Sequence, residues 1–366
     1  MQSSASVPSD QFPDLLKRLP AGLDLDLLAR ETKAIQRDRK IGGGANLLRL
    51  ALARGPGGFS LRQSSGWVSL LDIAELSNPG VHYRLKHAVA FLAALVTRLL
   101  AAKAPGARLR WPGRTLRLAD GTCVSKPGSK GTDWRVHGVL DLGSGGFSHL
   151  ELTDKHGAEA LDRGAPVPGE IRIGDRNYAR VPVLKRFLAE ACGKADFIVR
   201  AGWNAFQLTT PRGKSFDLIG HLKSLPAGMK PHEVNVCAAA ARDKTALPLR
   251  LIIQRKTPEA AEATRLALRR AAIKKGKTLD PRSLIAAEFM IVVTSLPKKG
   301  YRAADILAVY RLRWQIELAF KRLKSLLHMD KLPTRNEQTS RSWLYAHLIV
   351  ALLSDDLSQD FLASSP

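Results

Sequence analysis

The sequence predicts an α/β protein preceded by an all-helical segment, on three observations. Apolar residues recur at helical spacing up to about residue 102, and the period becomes strand-like beyond a Pro- and Gly-containing stretch, Lys103 to Arg114. Three neighbouring strand-like runs then precede a strand–helix–strand series, which is not the order of a helical bundle. A stretch without Gly or Pro, Tyr301 to His328, follows as one long expected helix.

Bulk properties narrow the function. The chain has 366 residues with 45% hydrophobic content, enough for two or three domains with substantial cores. Its net charge of +24 and pI near 10.4 point to a polyanionic partner, most simply nucleic acid. No charged n-region followed by an apolar core opens the chain, and the longest apolar run, Ala88 to Ala102, is interrupted by Arg98. Cys123, Cys192 and Cys237 form no Cys-x-x-Cys pair, which argues against a zinc site or a disulfide framework. A soluble, cytoplasmic protein is expected.

The elements follow in order. Phe12 to Leu23 is a short, partly apolar segment, and Arg37, Arg39 and Lys40 make a basic stretch that Gly42, Gly43 and Gly44 end. Helical text resumes at Ala45. Ser60 and Gln63 have the form of a capping box, and Ser77-Asn-Pro-Gly opens a further helix bearing His82, Arg84, Lys86 and His87. Two short helices, the second basic, suggest a helix-turn-helix DNA reader; a plain bundle with a basic face explains the segment equally well. Residues 1–104 are therefore an expected N-terminal helical, DNA-binding domain.

Strand text runs from Arg114 to Val124 with a break expected at Asp120, then from Trp134 to Leu142 and from Gly146 to Leu152 around a Gly-Ser-Gly-Gly hairpin. Glu170 to Tyr178 reads as a strand ending at Asp175, Val181 to Cys192 as a helix and Asp196 to Arg200 as a strand. Residues 203–296 are a different text, with strand-like pieces at Glu233–Ala239, Leu247–Gln254 and Glu288–Leu296 and a basic helix at Glu259–Lys275. Between Arg242 and Arg282 stand twelve Arg or Lys against four Asp or Glu, a bias that a phosphate-facing surface would explain. After the 301–328 helix, Lys331-Leu-Pro breaks the chain, and a last apolar helix is expected at Trp343–Leu353.

Candidate chemistry lies in three carboxylates. Asp120 in Leu-Ala-Asp-Gly-Thr and Asp175 in Ile-Gly-Asp-Arg-Asn-Tyr stand at expected strand ends, where each alone would pass for turn chemistry. On a helical wheel Tyr310, Arg313, Glu317 and Lys324 fall within an arc of roughly 60°. Leu312, Ile316, Ala319, Leu323 and Leu326 form the stripe that should be buried. Glu317 with Lys321 could be a mere i,i+4 surface pair. Together, however, Asp120, Asp175 and Glu317 are hard oxygen donors suited to Mg²⁺ or Mn²⁺. Two such ions can drive an in-line phosphoryl displacement. Other constellations are missing: Leu208 stands where the first Gly of a phosphate-binding loop ending at Gly213-Lys-Ser should be. No Gly-x-Ser-x-Gly or His-Glu-x-x-His occurs.

The run Tyr310-x-x-Arg313-x-x-x-Glu317-x-x-x-x-x-x-Lys324 resembles the Y-R-E-K signature of bacterial insertion-sequence transposases of the family numbered four. Leu118-Ala-Asp120-Gly-Thr122 and Gly174-Asp175-Arg176-Asn-Tyr178 are similar to that family's first and second acidic motifs. The resemblance implies an RNase H-like core at 115–200, completed by the Glu-bearing helix at 301–328 and interrupted by a β-rich insertion at 203–296. An insertion would account for the uneven spacing, 55 residues from Asp120 to Asp175 and 142 from Asp175 to Glu317. It further implies Asp120, Asp175 and Glu317 as catalytic metal ligands, with two Mg²⁺ or Mn²⁺ ions as cofactors. Tyr310, Arg313, Lys321, Lys324 and Arg176 would face transposon-end DNA, and Trp203 would stack on an extruded base or serve as a core aromatic. The implied activity is cleavage at inverted-repeat ends and 3′-hydroxyl strand transfer into target DNA, by a homodimer. Family members carry more helix for pairing protomers than the expected segment 329–366 offers, which makes this copy a candidate truncation. An inactive, DNA-binding remnant and a related nuclease without strand transfer stay open, as does a swap of Asp133 or Asp141 for Asp120.

Overall fold

The computed structural model describes residues 12–37, 41–102, 113–240, 243–326 and 328–364. Residues 103–112 of the Pro- and Gly-containing stretch Lys103 to Arg114, as well as Arg39, Lys40, Arg242 and Leu327, lie outside the described residues. Six helices come first: α1 (Phe12–Leu16), α2 (Leu25–Glu31), α3 (Gly44–Arg54), α4 (Leu61–Leu70), α5 (Asn78–His87) and α6 (Val89–Ala102). Their starts follow the local chemistry. Asp24 accepts from the Asp26 and Leu27 amides at α2, and Ser60 and Gln63 cap α4 reciprocally, as the capping-box spacing predicts. Residues 71–77 join α4 to α5, a longer connection than the tight turn of a helix-turn-helix. Among the described residues no single helix is long and apolar enough to cross a membrane.

The rest is built on one nine-stranded sheet. Its strands are β1 (Thr115–Val124), β2 (Trp134–Asp141), β3 (Phe147–Asp154), β4 (Glu170–Gly174), β5 (Asp196–Arg200), β6 (Gln207–Thr209), β7 (His232–Ala240), β8 (Asp243–Arg255) and β9 (Phe289–Thr294). The spatial order is β3-β2-β1-β4-β5-β9-β8-β7-β6. β1, β2 and β3 form an antiparallel meander, β4 joins β1 in parallel, and β5 joins β4 in parallel through the crossover helix α7 (Val181–Glu190). β9 returns antiparallel to β5, so the strands of segment 203–296 extend the central sheet instead of forming a sheet of their own. Helices α8 (Leu218–Ser224), α9 (Pro258–Lys274) and α10 (Pro281–Ala286) lie in the same segment.

Side-chain alternation divides two cores across the sheet. Leu118, Ile173, Ile198, Ile252 and Val292 point to one face, whose core includes the N-terminal helices. That core is completed by three elements: α11 (Ala303–Tyr310), α12 (Trp314–Leu326) and α13 (Glu337–Ser364). Ala119, Phe197, Val199, Ile253 and Val293 point to the other face, against α7 and α8. α13 begins earlier and ends later than the expected 343–353 helix and packs on α3, α5 and α6. The N-terminal helices therefore share a continuous core with the C-terminal helix and the sheet.

Two sequence expectations are corrected. The long helix expected from Tyr301 to His328 is two helices, α11 and α12, separated by a 3₁₀ turn at Arg311–Arg313. Asp120 lies inside β1, opposite Gly138 of β2, and not at the end of a strand. What stops beside it is β4, whose parallel pairing with β1 ends at Leu118↔Ile173.

Gly138 sets the distance between sheet and α12. A Cβ there would stand 2.8 Å from both Phe147 Cε1 and Phe320 Cζ, whose rings pack at 5.4 Å between centroids. Because Phe320 follows Glu317 on α12, this bare position lets the helix approach the sheet at the level of Asp120. Gly138→Ala should lower stability by about 1–3 kcal/mol through overpacking, read as a lower denaturant midpoint at unchanged slope.

Candidate active site

Parallel pairing brings the two aspartates together. Leu118 pairs with Ile173, so Asp120 and Asp175 follow at the same distance along neighbouring strands, on the face that α11 and α12 cover. Beyond Gly174 the chain leaves β4 in extended backbone at Asp175 and enters a 3₁₀ turn, Arg176–Tyr178. The buried Tyr178 ring packs on Gly174, where a Cβ would stand 3.0 Å from Cγ.

Asp120 Oδ1 accepts from the Gly121 amide at 2.8 Å. Burial pushes its carboxyl up from an ordinary 3.8 to about 6; the Gly121 amide and Arg313 oppose the shift, while Glu159 and Glu317 add to it. Asp175 accepts from Tyr310 Oη at 3.4 Å and lies 4.0 Å from Arg200 Nη1. Tyr310 is buried, and its hydroxyl is pushed up to about 12 by that burial and by Asp175. The tyrosine therefore reaches the site from within the core, not from the charged helix face that the wheel assigned it.

Glu317 opens α12 with its side chain 52% exposed, and pairs with Arg313 Nη2 at 2.6 Å. Its i,i+4 partner is thus the arginine one turn before it, and not Lys321. Arg313 is the hub: its charge acts on Asp120, Asp175 and Tyr310 as well as on Glu317. A cleft of about 380 Å³ is lined by Asp120, Thr122, Glu317, Lys321, Lys324 and Asp330. The structure thus brings Asp120, Glu317, Lys321 and Lys324 to one cleft, with Asp175 linked through Tyr310 and Arg313. Arg176 is exposed immediately beside Asp175. Of the stripe expected to be buried, Ile316 and Leu323 are buried and Leu312 and Ala319 half-buried against the same core.

Trp203 stands apart. Its Nε1 donates to Ser283 Oγ at 3.1 Å, and the Arg282 guanidinium lies 4.5 Å from its ring centroid and covers one ring face, an arrangement that suits the core-aromatic alternative. Asp133 and Asp141 are engaged by other partners. Asp133 accepts from the Lys126 amide, and Asp141 accepts from the Gly143 and Ser144 amides and pairs with Arg117 at 3.3 Å.

Two residues near the centre escaped the sequence reading. Arg200 ends β5 beside Asp175. Glu159, in the loop after β3, lies against Gly121; its only sequence signal is a carboxylate in an otherwise small and apolar Ala-Glu-Ala context. Among the described residues no three His, Cys, Asp or Glu side chains form a preassembled cage. The donor set nevertheless fits a hard divalent cation. It consists of carboxylate oxygens, and the chain's own guanidinium, Arg313, stands among them as a substitute positive charge.

Comparison with known proteins follows the same lines. A family model described as "Transposase DDE domain" matches residues 111–353. The transposase for insertion sequence element IS421 of Escherichia coli is 39% identical over 361 residues, 98% of this chain and 96% of that protein. The InsL protein of insertion sequence element IS186A of Escherichia coli (strain K12) is 39% identical over 360 residues, with the same coverage. The transposase for IS231F of Bacillus thuringiensis subsp. israelensis is 30% identical over 215 residues, 59% of this chain and 40% of that protein. A solved piggyBac transposase synaptic complex with hairpin DNA aligns at TM-score 0.49 and 8% identity, covering 96% of this chain and 73% of that one.

The raised Asp120 carboxyl has a measurable consequence. Its folded value lies above its unfolded value, so the protonated form favours the fold; that contribution is complete below about pH 4 and is lost as pH rises through about 6. In chelator, Asp120→Asn should be more stable than wild type at pH 7.5, by at most roughly 2–3 kcal/mol, and should lose this advantage by pH 4. Urea titrations of both proteins across that range measure it.

Proposed function

This chain belongs to the transposase DDE domain family, and on that premise we propose that Asp120, Asp175 and Glu317 are the acidic centre with which it cuts transposon ends and joins them to target DNA. The single observation that best supports the assignment is the parallel β1–β4 register, which sets two aspartates from distant sequence side by side beneath the helix bearing Glu317. The RNase H-like reading rests on the β3-β2-β1-β4-β5 order with its one crossover helix.

Transposases of this family use divalent metal ions, and we assign two Mg²⁺ or Mn²⁺ ions, held by Asp120, Asp175 and Glu317. Bound there, such ions would activate the attacking oxygen and stabilise the leaving one. In cleavage, a water oxygen attacks a phosphorus at the transposon end, its P–O3′ bond breaks, and a 3′-hydroxyl is freed. In strand transfer, that hydroxyl attacks a target phosphodiester and displaces the 3′-oxygen of the target strand.

The remaining residues hold the DNA and its charge. Lys321 and Lys324, on the cleft wall beside Glu317, are placed to take phosphates, and Arg176 to take one on the Asp175 side. Arg313 neutralises the carboxylates and can turn to a phosphate once other positive charge enters. Tyr310 orients Asp175 by its hydroxyl. Trp203 packs within the insertion. The N-terminal helices, with Tyr83, Lys86 and His87 exposed on α5, are assigned to duplex binding, and a homodimer to the synaptic assembly.

Asp120→Asn, Asp175→Asn and Glu317→Gln should each retain binding to transposon-end DNA while losing cleavage by more than the roughly 100-fold that outer metal partners cost. Nicking assays with Mg²⁺ measure the loss, and equal cleavage by wild type and Glu317→Gln would remove Glu317 from the centre. Gel analysis for joined products tests strand transfer separately: cut ends that never join would identify a nuclease on the same core. If about 6–10 phosphates are neutralised, affinity should fall about 10³–10⁵-fold between 50 and 200 mM salt, and a flat response would contradict electrostatic docking.

A further inference from the structure

Between β3 and β4 the chain runs through residues 155–169 without a helix or strand, yet it is tightly held. Arg172, 1% exposed inside the core, donates through Nη1 to the carbonyls of Leu161, Arg163 and Gly164 at 2.7–2.9 Å, and its guanidinium lies over the Phe187 ring. Arg135 donates to the Gly157 carbonyl at 2.8 Å, Arg163 to that of Ala158 at 2.8 Å, and Arg180 to that of Glu159. Four arginines thus fix the backbone of a segment that has no regular structure to fix it.

What this scaffold delivers is one carboxylate. Alternation along β1 sends Asp120 to the α12 face and Gly121 to the opposite face, where Glu159 lies. A Cβ on Gly121 would stand 3.2 Å from Glu159 Oε1, so the missing side chain is what admits the carboxylate to β1. Its other oxygen, Oε2, accepts from Asn177 Nδ2 at 3.0 Å, two residues past Asp175. Glu159 therefore touches both acidic motifs. Among the described residues its side chain has a neutral amide as partner and no cation, although it is half-buried near Asp120. A carboxylate so placed, paired with an amide and not with a cation of the chain, is open to a cation from outside.

We propose that Glu159 is a further acidic residue of the cation-binding centre, facing Asp120 from the side of the sheet opposite Glu317 and oriented by Asn177. Asn177, within the second acidic motif, is a positioning residue that acts through Glu159. The inference rests on the assignment of Asp120 to the metal centre, and its test separates the two.

The test is Mn²⁺ binding to the DNA-free, full-length protein by isothermal titration calorimetry, with thermal unfolding in chelator as a control. Glu159→Gln keeps the size of the side chain and an oxygen for Asn177 but removes the charge. It should weaken Mn²⁺ binding at least about tenfold without lowering the unfolding temperature. Cleavage by this variant should recover at higher Mn²⁺ concentration. Asn177→Ala keeps the charge but releases it, and should weaken binding about tenfold as well; this arm decides if Glu159→Gln fails to fold. Binding by the folded Glu159→Gln protein, or in its place by Asn177→Ala, within twofold of wild type while Asp120→Asn loses affinity overturns the proposal and leaves the centre intact. Unaltered binding in Asp120→Asn overturns the assignment of the centre itself.

Discussion

Everything at the site depends on four parallel residue pairs between β1 and β4. Their last pair, Leu118↔Ile173, fixes where Asp120 and Asp175 fall, and a slip of one residue in either strand would turn one aspartate to the opposite face. The register is fixed by burial. Leu116, Leu118, Ile171 and Ile173 must all enter one core, so apolar residues that take no part in chemistry hold the carboxylates in place. β4 then ends while β1 continues alongside β2, and the space beyond Gly174 is where the acidic side chains gather.

That space concentrates negative charge around Asp120. Asp120 is half-buried with Glu159 and Glu317 nearby, and Arg313 is the internal charge that acts on Asp120, Glu317 and Asp175. The 3₁₀ turn at Arg311–Arg313 is part of this arrangement. It separates the buried Tyr310 from the half-exposed Glu317, so that one segment serves both the core and the cleft. A straight helix would have presented both residues on a single face.

Features that rest on local chemistry were legible in the sequence. Asp120, Asp175 and the Tyr310 to Lys324 spacing could be picked out as candidates because Asp motifs and residue spacing are written in neighbouring residues. The capping box at Ser60 and the strands of the insertion were legible for the same reason. Features decided by distant partners were not. No Gly or Pro marks the break at Arg311, and only the cross-strand partner Gly138 shows that Asp120 lies inside a strand. The Arg282 that covers one face of Trp203 could not be read beforehand, because it lies far along the chain. Glu159 was invisible for a stronger reason: arginines from β2, β4 and the start of α7 place it, and no spacing rule links them to it.

The pairing of β9 with β5 has a consequence for how the protein can be divided. Through Ile198↔Thr294 and Val199↔Val293 the inserted strands share a hydrogen-bonded ladder with the strands carrying the aspartates. Excising the insertion would leave β5 as a bare edge, its Phe197 and Val199 side chains stripped of inserted neighbours and its backbone free to recruit strands from other molecules. Segment 203–296 thus covers a sheet edge, and trimming it demands that some other strand take over that border.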